Sequence, residues 1–254
     1  MMGILDIILI GVTLCVAGML QSAVGFGYAL FATPVLVWIG LPLPNIVALV
    51  GTCSMIQSII GIRKIHDAVP WRLSLIATVV RLGGVVLGLF VLKKLLVLDQ
   101  TSIELVIGGI LCVLVAIQLI WRPQPVKAMH WLWAAIAFST SGLLSGICGM
   151  GGPPLVLWSM AHDWSTQKTR GFLFAVFATA LPLQISFMVF TFGPSILSSV
   201  ALGFAFFPLV YLGTTFGLPI GNRMKKNTLR RLAYTLLLFI GVRAVVGAIL
   251  LQLK

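Results

Sequence analysis

Residues 141–159 read SGLLSGICGMGGPPLVLWS, and residues 18–34 read GMLQSAVGFGYALFATP. Each lies inside an apolar stretch, 131–161 and 4–40, that is too long for one membrane crossing. A helix rises about 1.5 Å per residue, so some thirty residues overrun a hydrocarbon core roughly 30 Å thick. Glycines interrupt both stretches near their middle. The spacing predicts a helix, a glycine-rich break and a second helix folded back as a hairpin, twice in the chain. The two regions also match in register. Gly18, Gly25 and Gly27 align with Gly142, Gly149 and Gly151 at a constant spacing of 124 residues. Thr52 and Gln57 match Thr179 and Gln184 at 127, and Gly84 and Gly88 match Gly213 and Gly217 at 129. A slowly growing spacing is what small loop insertions leave between two related halves.

Working outward from the breaks, the remaining apolar runs fall at 46–62, 73–92, 103–121, 170–191, 197–220 and 231–252. Of 254 residues, 60% are hydrophobic and 9% charged, against roughly 25% charged in a soluble domain. No segment alternates at period two, which excludes a barrel. The expected fold is therefore all-α: a polytopic membrane protein of two inverted repeats, each a Gly-broken helical hairpin followed by three transmembrane helices. Residues 1–121 form the first repeat, 122–130 a cytoplasmic linker and 131–254 the second repeat. Met1–Cys15 has no positive region before its apolar run, so it reads as a retained first helix rather than a cleaved signal.

The net charge of +12 marks topology rather than nucleic-acid binding, because the basic residues lie in short runs between spans. If both broken regions return to the face they left, one face collects Arg63, Lys64, Arg72, Arg122, Lys127, Lys168, Arg170, Arg223, Lys225, Lys226, Arg230 and Arg231. The other keeps only Lys93, Lys94 and Lys254. The positive-inside rule then places both termini outside the cytoplasm, and three further crossings per half invert the second half relative to the first.

Inverted repeats with interrupted helices at matching positions hold their substrate sites near mid-membrane, where the breaks free backbone groups. The expected substrate ligands are Gly25, Gly27, Gly149, Gly151 and Gly152, through backbone N–H groups and half-helix N-termini. Gln57 and Gln184 join them as bulky amides unsuited to lipid, and Arg81 as a charge deep in an apolar span. Gln21, Ser22, Thr52, Ser145, Thr179 and Arg243 are accessory candidates. None of the five acids sits at a span centre, so an anion is the natural counter-charge. The alternative is that the glycines merely let helices pack closely.

Enzymatic readings find no support. His66, His130 and His162 lie in or beside loops, the acids form no dyad, and Gly149-Met-Gly151-Gly152 lacks the Lys-Ser/Thr of a nucleotide loop. Cys15, Cys53, Cys112 and Cys148 have no CxxC spacing and read as small buried hydrophobes. No metal and no cofactor is expected.

Residues 141–159 resemble the second signature of the sulfite exporter TauE/SafE family, and 18–34 its first signature more loosely. The basic turn Gly221-Asn-Arg223-Met-Lys225-Lys226 is similar to the family as well. Gly25, Gly27, Pro34, Gly149, Gly151, Gly152 and Pro154 occupy motif positions. Tyr28 and Ala29 after Gly27, and Pro153, depart from the more glycine-rich pattern. The resemblance implies transport of sulfite or an organosulfonate across the bacterial cytoplasmic (inner) membrane. The expected function is thus a secondary transporter of a small anion by alternating access, with a proton or sodium ion as the coupling ion such a cycle can use. The rivals are an anion channel and a non-transporting structural subunit of a membrane complex.

Overall fold

The computed structural model describes residues 3–120 and 130–223, with single positions 235, 238, 242 and 246 beyond them. Most of the expected linker and Arg243 lie outside the described residues. Among the described residues every regular element is helical. In chain order these are α1 (Ile4–Val24), α2 (Tyr28–Trp38), α3 (Leu43–Ile65), α4 (Trp71–Leu95) and α5 (Gln100–Ile120). They continue with α6 (Trp131–Cys148), α7 (Gly152–Met160), α8 (Thr166–Phe192), α9 (Ile196–Ala205) and α10 (Phe207–Arg223). Among the described residues six helices are long and apolar enough to cross a bilayer, and there are seven spans if the bent pair α9–α10 counts as one. The protein is a multi-pass membrane protein.

Both glycine-rich stretches do break a helix. In each, a long arm precedes a short one: α1 has 21 residues and α2 has 11, and α6 has 18 and α7 has 9. The short arms rise roughly 16 and 14 Å at 1.5 Å per residue, about half a hydrocarbon core.

The run 197–220, expected as one straight crossing, is bent by 56° between α9 and α10. Pro208 stands at the second position of α10. It has no N–H to donate to the carbonyl of Phe204 and its ring crowds that carbonyl, so the ladder stops there.

Glycines decide which helices touch. A methyl on Gly84 or Gly88 of α4 would strike the backbone of α6 at Ser139 and Leu143, and one on Gly142 or Gly146 would strike α4 at Arg81 and Val85. Gly213, Gly217 and Gly221 of α10 meet the α1 backbone at Cys15, Met19 and Ala23 in the same way. Small residues one turn apart let two backbones approach to contact, which is the main source of helix attraction in lipid. Each broken helix therefore packs on a helix from the other half of the chain. Between these pairs α3 packs on α8, and α3 is the most buried long helix, with 72% of its apolar window inside. Large apolar side chains such as Val79, Phe90, Phe190 and Phe216 point outward and are exposed.

Candidate functional site

The first break is a matter of backbone conformation. Gly25 has φ 97°, and its N–H closes α1 by donating to the Gln21 carbonyl at 2.7 Å. Gly27, at φ 108°, then turns the chain into α2. Both angles lie in the left-handed region that a side chain disfavours. The second break uses one such residue. Gly149 has φ 77° and closes α6 through its N–H to the Ser145 carbonyl at 2.9 Å. Gly151 has an ordinary φ of −75°. What it supplies is room, since a methyl there would lie 2.5 Å from Nη2 of Arg81 and 2.5 Å from the Ser141 carbonyl.

A cavity lies between the two breaks. Its walls are Gln21, Gly27, Tyr28, Ala29 and Leu30 from the first break, and Ser145, Gly149, Met150 and Gly152 from the second. α3 adds Val47, Val50, Gly51 and Ser54, α4 adds Arg81, and α8 adds Phe177, Leu181 and Gln184. About 30 Å³ is open to the centres of water-sized spheres, room for about two waters at roughly 10–15 Å³ each.

Arg81 dominates the electrostatics. It is 1% exposed, and its Nε and Nη1 have no hydrogen-bond partner. Its guanidinium carbon stands 5.5 Å from the centre of the Phe177 ring, a cation–π contact. No wall residue is acidic. A buried, uncompensated guanidinium is costly in hydrocarbon, so the fold retains here a charge that invites an anion.

The polar residues in and behind the walls are latched to one another or to their own helices. Gln184 accepts from the Ser145 hydroxyl at 2.7 Å and donates to the Ser145 carbonyl at 2.9 Å. Gln21 donates to Ser58 at 3.2 Å and accepts from Ser54 at 3.1 Å. Gln57 donates to Ser22 at 3.0 Å, and Ser22 donates to the Gly18 carbonyl at 2.6 Å. Thr179 meets Thr78 at 2.7 Å and also donates to its own helix at Ala175. Thr52 donates to the Ala48 carbonyl one turn back.

Of the expected ligands, then, Gly27, Arg81, Gly149, Gly152 and Gln184 line the cavity together with Gln21 and Ser145. Gly25, Gly151, Gln57, Ser22, Thr52 and Thr179 are not among its walls. The N–H groups of Gly25 and Gly149 are taken by helix closure, and Pro153 and Pro154 remove two donors from the first turn of α7. The cradle of amides expected at both breaks is therefore thinner at the second.

Two features escaped the sequence reading. Ser54 lines the cavity because Val47, Val50, Gly51 and Ser54 share one face of α3 at helical spacing; Gln57 continues that face, but its amide is turned to Ser22. Arg170 was counted among the basic residues that mark one membrane face, at the start of the run 170–191. It is instead 1% exposed, one turn inside α8. Its Nη2 donates to the Ser22 carbonyl in the last turn of α1, where a broken helix leaves carbonyls without internal partners. At the second break the Cys148 carbonyl is met instead by the Thr33 hydroxyl at 3.1 Å.

A family model described as "Sulfite exporter TauE/SafE" matches residues 9–244. The chain is 24% identical, over 231 residues, to a "Probable sulfite/organosulfonate exporter TauE" of Cupriavidus necator, covering 90% of each chain. No solved structure matches.

Proposed function

The chain belongs to the sulfite exporter TauE/SafE family, a family of membrane transporters, and from that premise we propose that it is a secondary transporter of a small sulfur oxyanion, sulfite or an organosulfonate. The single observation that carries the anion assignment is Arg81: buried, with two nitrogens unpartnered, in the wall of a cavity that has no acid. A sulfite or sulfonate group offers three oxygens at one end, and the planar guanidinium fork can hold two of them at once. Phe177 covers one side of the guanidinium and the Ser145–Gln184 pair supplies polar groups beside it. The name of the Cupriavidus protein fits the same chemistry.

Alternating access suits the packing. The α4–α6 and α1–α10 pairs each join helices from the two halves, backbone against backbone, and so move as bodies. In this reading they rock against the central α3–α8 pair, each carrying one break, and open the cavity to one face at a time. The halves are inverted repeats, and the reciprocal pairing supports that: Gly18 of α1 sits against the carbonyl of Val210, Gly142 of α6 against that of Arg81. Those two partners are 129 residues apart, the spacing of the Gly84–Gly213 match. The membrane is the bacterial cytoplasmic one, and a proton or sodium ion drives the cycle.

Purified protein in liposomes should exchange labelled sulfite or toluenesulfonate in counterflow, with saturation. Arg81→Leu should raise the half-saturating concentration at least tenfold, the loss of a charge-assisted bond worth about 1.5–3 kcal/mol. Arg81→Lys should fall between. Ohmic flux without counterflow would make the protein a channel, and folded protein inert toward sulfur anions would reject the assignment.

A further inference from the structure

Phe26, between the two left-handed glycines of the first break, lines a second cavity and packs against a wall residue of the central one. A methyl on Gly152, a wall of the central cavity, would lie 3.4 Å from the Phe26 Cβ, and Phe26 itself lines the second cavity. That second space also offers about 30 Å³ to water-sized spheres, and Arg170, Thr169, Val156 and Met160 are among its walls. None of its wall residues is acidic. Arg170 is buried there against the Phe174 ring, 5.9 Å from its centre. Thr169 is 6% exposed, and its hydroxyl has no hydrogen-bond partner. A buried hydroxyl left unpaired forfeits its hydration without return, so it marks a place that a polar ligand completes.

We propose that this cavity is a second anion subsite, in which Arg170 and Thr169 hold a sulfur oxyanion one step from the central site, and that Phe26 is the partition the anion passes. The proposal rests on the reading of the central cavity as an anion site. The subsite lies at the first turn of α8, beside Lys168 and the loop that opens this helix, so it serves the face bearing the basic loops. Arg170 has a second duty here. It holds the Ser22 carbonyl at the end of α1, and Gly25 is packed against its side chain, where a methyl would lie 3.0 Å from Cγ. An anion drawing on the guanidinium therefore bears directly on the geometry of the break that carries Phe26, and occupancy of the subsite is linked to movement of the partition.

Crystals of the full chain equilibrated with selenite, the heavier analogue of sulfite, locate both sites by anomalous scattering from selenium. Selenium is expected in both cavities. A peak in the central cavity alone overturns the subsite and leaves the transporter reading standing. A peak beside Arg170 alone keeps the subsite and rejects the central site, and peaks in neither reject both. Thr169→Val supplies the functional arm, because it removes a hydroxyl that bonds nothing and so leaves folding intact. From the face bearing the basic loops, its half-saturating sulfite concentration should rise about fivefold, the worth of one ordinary hydrogen bond, with the opposite face unchanged. An equal half-saturation on both faces, matching the parent protein, overturns the proposal. Arg170→Gln should give a larger rise on that face. If it fails to fold for want of the bond to Ser22, Thr169→Val and the selenium positions decide.

Discussion

The two helix breaks share a glycine pattern and use it for different physical ends. At the first, Gly25 and Gly27 both carry positive φ, and the motif buys a backbone path. At the second, only Gly149 does, while Gly151 keeps an ordinary backbone and clears space for the Arg81 guanidinium. The broken ends are also held differently. The end of α1 is held by a buried charge from α8, Arg170, and the end of α6 by a hydroxyl from α2, Thr33. Matching the halves by the spacing of their α4 and α10 glycines puts Val210 opposite Arg81, so among the described residues no second arginine faces Arg81 across the central cavity by that matching. A similar glycine pattern thus frames one asymmetric cavity, and residues matched by register in the two stretches do not make the same contacts.

The comparison breaks outright if the halves are not inverted. Single cysteines at Asp67 and Thr166 should react with an impermeant thiol reagent from one face, and those at Pro42 and Gly193 from the other. This outcome is all-or-none, and labelling of Asp67 and Thr166 from opposite faces would end the description of the halves as inverted repeats. A graded test compares the glycines. Gly151→Ala puts a methyl onto Arg81 and the Ser141 carbonyl, overpacking of a kind that costs about 1–3 kcal/mol, and should weaken anion affinity about tenfold or more. Gly25→Ala meets left-handed backbone, costing about 1–2 kcal/mol, and should appear first as a lower unfolding temperature. If both substitutions lower stability alike and leave affinity untouched, the division between path and space is wrong.

The smallest effect concerns the glutamines. Gln184 lines the cavity and Gln57 does not, although the 127-residue register match pairs them. Gln184→Leu should raise the half-saturating anion concentration about fivefold, one hydrogen bond's worth. Gln57→Leu should leave it unchanged and cost only about 0.6 kcal/mol, a typical interhelical bond in a membrane protein. Equal effects on affinity would place both amides at the site and restore the symmetry that the cavity lacks.

Much of the architecture was legible in one dimension. Lipid offers no partners for backbone groups, so each span must satisfy its own hydrogen bonds as a helix, and a long apolar run declares itself without reference to its neighbours. The breaks were legible for the same reason, since a glycine cluster inside an overlong run leaves few other local solutions. Arg81 stood out because a charge among Val79, Val80 and Leu82 has no local excuse. Arg170 did not, because Lys168 beside it is solvated and nothing in the string distinguishes the two. The bend at Phe206 was signalled by Pro208 but hidden within a run of acceptable length. Helical periodicity lists which residues share a face, yet it cannot say what that face meets. The meeting of α4 with α6 and α1 with α10, the choice of Gln184 over Gln57, and the gathering of Arg81 with two distant breaks are settled by close packing between helices far apart in the chain, and only the tertiary structure decides them.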